Sequence, residues 1–125
     1  DREIDMDKDL KQRLDLLEKT GQINKNTVKA LENFVKVIED RLNIEITEDN
    51  GSMFITHIAL AISRIEKGEE IAPLDDLLLA ELKASPNYES IPSLIEELEK
   101  ELDINIPESE YGYIGLHLGI LKNNN

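Results

Sequence analysis

Apolar residues recur every three or four positions along most of the chain, which is the spacing of amphipathic helices. In the first quarter this spacing predicts a helix from about Asp5 to Thr20, with Gly21 as its stop. It predicts a second helix that is capped by Asn24 or Asn26 and ends near Leu42. Both segments place their apolar residues on one side, so each should bury one face.

The middle of the chain predicts a third helix, from Met53 to Lys67, with Gly68 after it. Asp-Asn-Gly at 49–51 is typical of a turn, and Ser52 then becomes the N-cap. The short apolar run at 44–47 leaves a strand as a weak alternative there.

The second half predicts a short helical element at 77–83 and a longer helix at about 88–102. Pro92 suits the first helical turn, so the longer helix can begin as late as Ser90. A last helix is predicted at about 108–122. The chain is therefore expected to be all-α, with five helices and a short extra helical turn.

Length and composition indicate one domain. The chain has 125 residues, 40% of them hydrophobic and 4% aromatic, so an aliphatic core built of Leu and Ile is expected. We expect residues 1–125 to form a single domain with its core at about 5–122. The absence of cysteine excludes disulfides, thiolate metal sites and cysteine nucleophiles, and it suits a reducing cytoplasm.

The charge balance bears on partners. Twenty-seven acidic residues against 14 basic ones give a net charge of −13, which repels nucleic-acid phosphates and anionic lipids. No apolar run has the length that crosses a bilayer. We therefore expect neither direct nucleic-acid binding nor membrane insertion by this domain, and a partner protein should present a basic face.

The chain has two histidines, and each lies in a strongly apolar predicted helix. On a helical wheel His57 lies on the shoulder of the buried face, and Arg64 lies two turns later on the same side. His117 shares a side with Glu110 and Tyr113, either of which could fix the tautomer of its ring. A histidine among apolar residues is more often structural than functional, and this reading stays open for both.

A stripe of glycines on the last predicted helix is the other unusual feature. Gly112, Gly115 and Gly119 lie within a narrow arc, and each interior glycine costs a helix about 1 kcal/mol relative to alanine. Such a stripe predicts close packing against another helix, within the domain or in a second subunit.

Arrangements for other chemistry are missing from the sequence. Neither histidine has a second histidine three or four positions away, so no metal site is expected. No glycine-rich phosphate loop and no serine nucleophile elbow occur. We therefore expect no cofactor and no enzymatic activity.

Two longer motifs carry a resemblance to a known family. The stretch FITHIALAISRI at 54–65, followed by Gly68-Glu69, resembles the first histidine motif of the PTS regulation domain (PRD), where PTS is the bacterial sugar phosphotransferase system. The stretch IPESEYGYIGLHL at 106–118 is similar to the second motif, and SPNY at 85–88 is similar to the proline-containing step between helices. The resemblance extends from about Leu10 to Ile120.

The resemblance implies a compact five-helix bundle that works as a dimer in the control of sugar operons. It implies that the phosphocarrier HPr or an enzyme II B component phosphorylates His57 and His117, with Arg64 and Glu110 as supporting residues. The domain would then act in transcription or antitermination through changes in dimer packing. The alternative is an unphosphorylated helical interaction or dimerisation module that keeps the PRD fold.

Overall fold

The computed structural model describes residues 6–70, 72, 75–86 and 88–123. Within these residues the chain forms five longer α-helices and one short one, as the apolar spacing predicts, and it forms no strand there. The strand alternative at 44–47 is therefore wrong, and the predicted start of the first helix at Asp5 and the Asn87 of the SPNY step lie outside the described residues. In chain order the helices are α1 (Lys8–Lys19), α2 (Lys25–Leu42), α3 (Glu48–Glu66), α4 (Asp76–Lys83), α5 (Ile91–Leu102) and α6 (Glu108–Asn123).

The start of α3 differs from the prediction by five residues. The Thr47 hydroxyl accepts from the Asn50 backbone N–H, and the Asn50 side chain accepts from the Thr47 backbone N–H, which makes Thr47 the N-cap. Gly51 belongs to the first helical turns, where a Cβ would meet Ile46 Cγ2 at 2.4 Å. The predicted turn at 49–51 and the N-cap at Ser52 are therefore wrong, because the glycine serves close packing.

The other helix ends follow the expected chemistry. Asn24, not Asn26, caps α2 by accepting from the Thr27 backbone N–H at 2.9 Å. Gly21, with φ of 81°, follows the end of α1. A 3₁₀ turn at Tyr88–Ser90 leads into α5, so the later of the two predicted starts is confirmed.

The helices pack in pairs around one aliphatic core. The most extensive pairing is between α2 and α5, while α1 packs on α3, and α6 packs on α3, α4 and α5. The described helices include none that is long and apolar enough to span a membrane. The following core side chains are fully buried: Leu10, Leu14, Leu31, Val35, Ile38, Ile55, Leu94, Ile95 and Leu118.

Candidate functional site

The packing of α3 against α6 brings the two histidines to one place. Tyr113 lies between their rings, with its centroid 3.5 Å from that of His57 and 4.1 Å from that of His117. The ring planes deviate from parallel by 14° and 19°. Phe54 stacks on His117 at 5.8 Å. We call these four residues (Phe54, His57, Tyr113 and His117) the ring stack.

His57 is held by a carboxylate from the other helix. Its Nε2 lies 2.8 Å from Oε1 of Glu110, whose side chain is buried while that of His57 is 28% exposed. With Glu110 ionised, Nε2–H donates to the carboxylate, so in the neutral ring Nδ1 carries the lone pair. The sequence predicts Glu110 as a neighbour of His117, but the structure pairs it with His57.

His117 is held by the backbone of its own helix. Its Nδ1 lies 3.1 Å from the carbonyl oxygen of Tyr113, one turn earlier. Because a carbonyl only accepts, Nδ1 carries the hydrogen and Nε2 carries the lone pair. The contact with Tyr113 is therefore predicted correctly, although a carbonyl and a stacked ring make it rather than the phenol oxygen.

Tyr113 stays in its neutral form inside the stack. Burial raises the pKa of its phenol, and the charge of Glu110 raises that pKa further. The side chain therefore brings no charge between the two imidazoles, and its aromatic ring sets the distance between them.

Arg64 lies close to His57 without pairing with it. Both residues line the same cleft, and Arg64 is exposed. Its guanidinium makes no ion pair or hydrogen bond within the part of the chain that the structure describes. A free, permanently charged guanidinium beside an imidazole is suited to bind an anionic group at that ring.

The cleft lies between α3, α4 and α6 and has a volume of about 680 Å³. All three residues of the glycine stripe line it, but they differ in packing. A Cβ on Gly115 would lie 2.3 Å from Leu82 and 2.6 Å from Ile91, whereas one on Gly119 would meet nothing within 4 Å. Close packing within the domain is therefore confirmed at Gly115 but not at Gly119, where packing against a second subunit stays a prediction.

Two side-chain contacts of this region are not predicted from the sequence. Arg13 of α1 donates to the Thr56 hydroxyl at 3.4 Å, next to His57 in the chain, and pairs with Glu48 at the start of α3. Phe54 stacks on His117, a ring contact between α3 and α6 that the helical wheel does not predict. Neither contact has a signal in the sequence, because both join helices that are distant along the chain. Among the described residues no group of three acidic, histidine or cysteine side chains is arranged to hold a metal ion.

Comparison with known proteins gives the family. The family model described as "PRD domain" matches residues 32–120. The chain is 37% identical over 102 residues to YhfY, an uncharacterized protein of Escherichia coli strain K12, and the match covers 82% of this chain and 85% of YhfY. No solved structure gives a significant match. The match spans both histidine motifs and most of the helical bundle, and the chain belongs to the PRD domain family of regulatory domains.

Proposed function

We propose that this chain is a regulatory domain that the bacterial sugar phosphotransferase system phosphorylates on His57 and His117. The observation that carries the proposal is that one nitrogen of each ring has a hydrogen-bond acceptor beside it. At each histidine one nitrogen is held as a donor, by Glu110 or by the Tyr113 carbonyl, and the other nitrogen carries a lone pair. Such an imidazole is set up as a nucleophile.

The proposed step transfers a phosphoryl group from the phosphorylated side chain of HPr or an enzyme II B component. The lone pair of the histidine attacks phosphorus, and the bond between phosphorus and the donor breaks with its electrons returning to the donor. The N–H proton of the accepting ring stays in place, so the phosphorylated ring is cationic. At His57 that cation lies against the buried carboxylate of Glu110, which stabilises it.

The acceptor atoms differ between the two rings. At His57 the lone pair is on Nδ1, and at His117 it is on Nε2. Glu110 and Tyr113 are positioning residues in this scheme, and Arg64 is placed to neutralise a phosphoryl group on His57.

The regulatory output follows from the charge that phosphorylation adds. A phosphoryl group adds about −1.5 to −2 charges to a chain that already has a net charge of −13. In a homodimer, that change shifts the packing of the two copies, and transcription or antitermination of carbohydrate-utilisation genes responds to it. The domain works in the cytoplasm, binds nucleic acid only through partners, and is not an enzyme.

One observation favours the alternative of an unphosphorylated interaction module. Four large apolar side chains of α4 and α6 are exposed, which is typical of a protein-binding surface: Leu77, Leu78, Leu116 and Ile120. A domain of that kind needs its histidines only for packing.

Intact-mass measurement separates the two readings. The wild-type chain is incubated with phosphoenolpyruvate, enzyme I and HPr, with and without a panel of enzyme II B proteins. We expect an acid-labile gain of phosphoryl mass that is absent from the His57→Gln/His117→Gln double variant. If no donor modifies the wild type while each still phosphorylates a known target, the interaction module is the better reading.

A further inference from the structure

Building on the proposed function, we infer that His57 and His117 form a single-occupancy site, in which the first phosphoryl group prevents the second. The inference starts from the ring stack. Tyr113 is in contact with both imidazoles, at 3.5 Å and 4.1 Å between centroids, so the two acceptor rings are closer together than the Debye length of about 8 Å at physiological ionic strength. Charged groups attached to the two rings therefore still repel each other at physiological salt.

The two rings are not free to turn apart. Glu110 holds Nε2 of His57 from α6, and the Tyr113 carbonyl holds Nδ1 of His117. Phe54 packs on the far side of His117. Rotation of either imidazole away from the stack breaks its hydrogen bond and its ring contact together, so the spacing persists when one ring is modified.

The charges nearby favour one phosphoryl group. Two basic residues, Arg64 and Lys67, line the surface depressions around His57, and the larger cleft also carries Glu70 and Glu81. Their two positive charges together balance about one phosphoryl group, which carries about −1.5 to −2 charges. A second group of that charge, on the ring of His117, then meets the charge of the first one across Tyr113.

Single occupancy reduces the number of phosphorylation states that the domain can adopt. Two independent acceptors give four phosphorylation states, whereas a shared site gives three, because the doubly modified state is suppressed. We expect the affinity of the second histidine for a phosphoryl group to fall by about tenfold or more once the first is occupied. Two donors with different preferences then compete for one position instead of adding their effects.

The test counts phosphoryl groups by intact mass at saturation in the wild type, in His57→Gln and in His117→Gln. Potassium phosphoramidate serves as a small phosphoryl donor beside the protein donors, so the result does not depend on the identity of the partner. We expect one group on the wild type and one on each single variant. Raising the salt concentration to 1 M, where the Debye length is about 3 Å, should increase the doubly modified fraction of the wild type.

The other outcomes separate this inference from the proposed function. Two groups on the wild type, with one on each variant, overturn single occupancy and leave the proposed function standing. A variant that takes up none while the wild type takes up one shows a single acceptor, which overturns the shared site. If none of the three chains takes up a group from any donor, both proposals fail.

Discussion

The contact between α3 and α6 differs from the packing of α1, α2 and α5 in what it buries. Among the described residues the buried polar side chains are Thr27 of α2 and Glu110 of α6. Thr27 donates to Asn24 at the cap of its own helix, whereas Glu110 reaches across to His57 on another helix. One buried polar group completes a helix end, and the other holds the imidazole of His57 on a neighbouring helix.

From this difference we expect stability to depend mainly on one region of the molecule and phosphorylation on another. The scaffold, which we define as α1, α2 and α5, contributes many of the buried apolar side chains of the core, and their removal from water favours folding. The ring stack can therefore hold partly exposed histidines and a buried carboxylate. Changes in the scaffold should alter stability, and changes around the ring stack should alter phosphorylation.

The largest effect is expected in the scaffold. Leu14 is fully buried, so Leu14→Ala should lower the free energy of unfolding by about 2–5 kcal/mol. Leu16 of the same helix is 60% exposed, and Leu16→Ala should change the free energy of unfolding by less than about 0.5 kcal/mol. Urea unfolding measures both. A large loss of phosphoryl uptake per folded molecule in Leu14→Ala would contradict the expectation that the scaffold affects stability and not phosphorylation.

The glycine stripe gives the next largest effect. Gly115→Val should lower the free energy of unfolding by about 1–3 kcal/mol, because the new side chain overlaps Leu82 and Ile91. Gly119→Val, on the same helix with open space around it, should change that free energy by less than about 0.5 kcal/mol. Thermal and urea unfolding check the pair. Equal losses in the two variants would mean that α6 does not pack closely at Gly115.

Removing the charge of Glu110 should change the phosphorylation rates of the two histidines by different amounts. Glu110→Gln keeps the shape and a hydrogen-bond acceptor but no longer stabilises a cationic ring at His57. We expect phosphorylation of His57 to slow by about tenfold, which corresponds to about 1.4 kcal/mol, and that of His117 to change less than threefold.

The rates are compared in His117→Gln and His57→Gln backgrounds, each with and without Glu110→Gln, so that each histidine is followed alone. Equal slowing at both histidines would show that Glu110 acts through general charge, not through its contact with His57.

The smallest effect is expected at the start of α3. Thr47→Ala removes one side of the reciprocal cap and should cost about 1 kcal/mol of stability. Ser52→Ala should be near neutral, because Ser52 lies inside the helix and caps nothing. Circular dichroism during urea unfolding measures both. A larger loss of stability in Ser52→Ala than in Thr47→Ala would support the helix start at Met53 that the sequence predicts.

The helices themselves were predictable because apolar spacing records which face is buried. The start of α3 was not, since Asp-Asn-Gly at 49–51 has the composition of a turn and the cap uses Asn50 in place of the usual Glu or Gln. The reason for Gly51, its approach to Ile46, exists only in three dimensions.

The histidines were predictable as candidate residues, and their arrangement was not. The sequence shows that Tyr113 and Glu110 share a side with His117, because they lie on one helix. The ring stack also depends on how α3 approaches α6, which the spacing within each helix does not specify. For that reason the spacing places Glu110 beside His117, whereas the structure pairs it with His57.

The most direct test identifies the phosphorylated nitrogen in each single variant by NMR of the phosphoprotein. The geometry predicts phosphorus on Nδ1 of His57 in the His117→Gln variant, because Glu110 holds Nε2. It predicts phosphorus on Nε2 of His117 in the His57→Gln variant, because the Tyr113 carbonyl holds Nδ1. Phosphorus on the opposite nitrogen of either ring, or on a residue outside the ring stack, would contradict the proposed site.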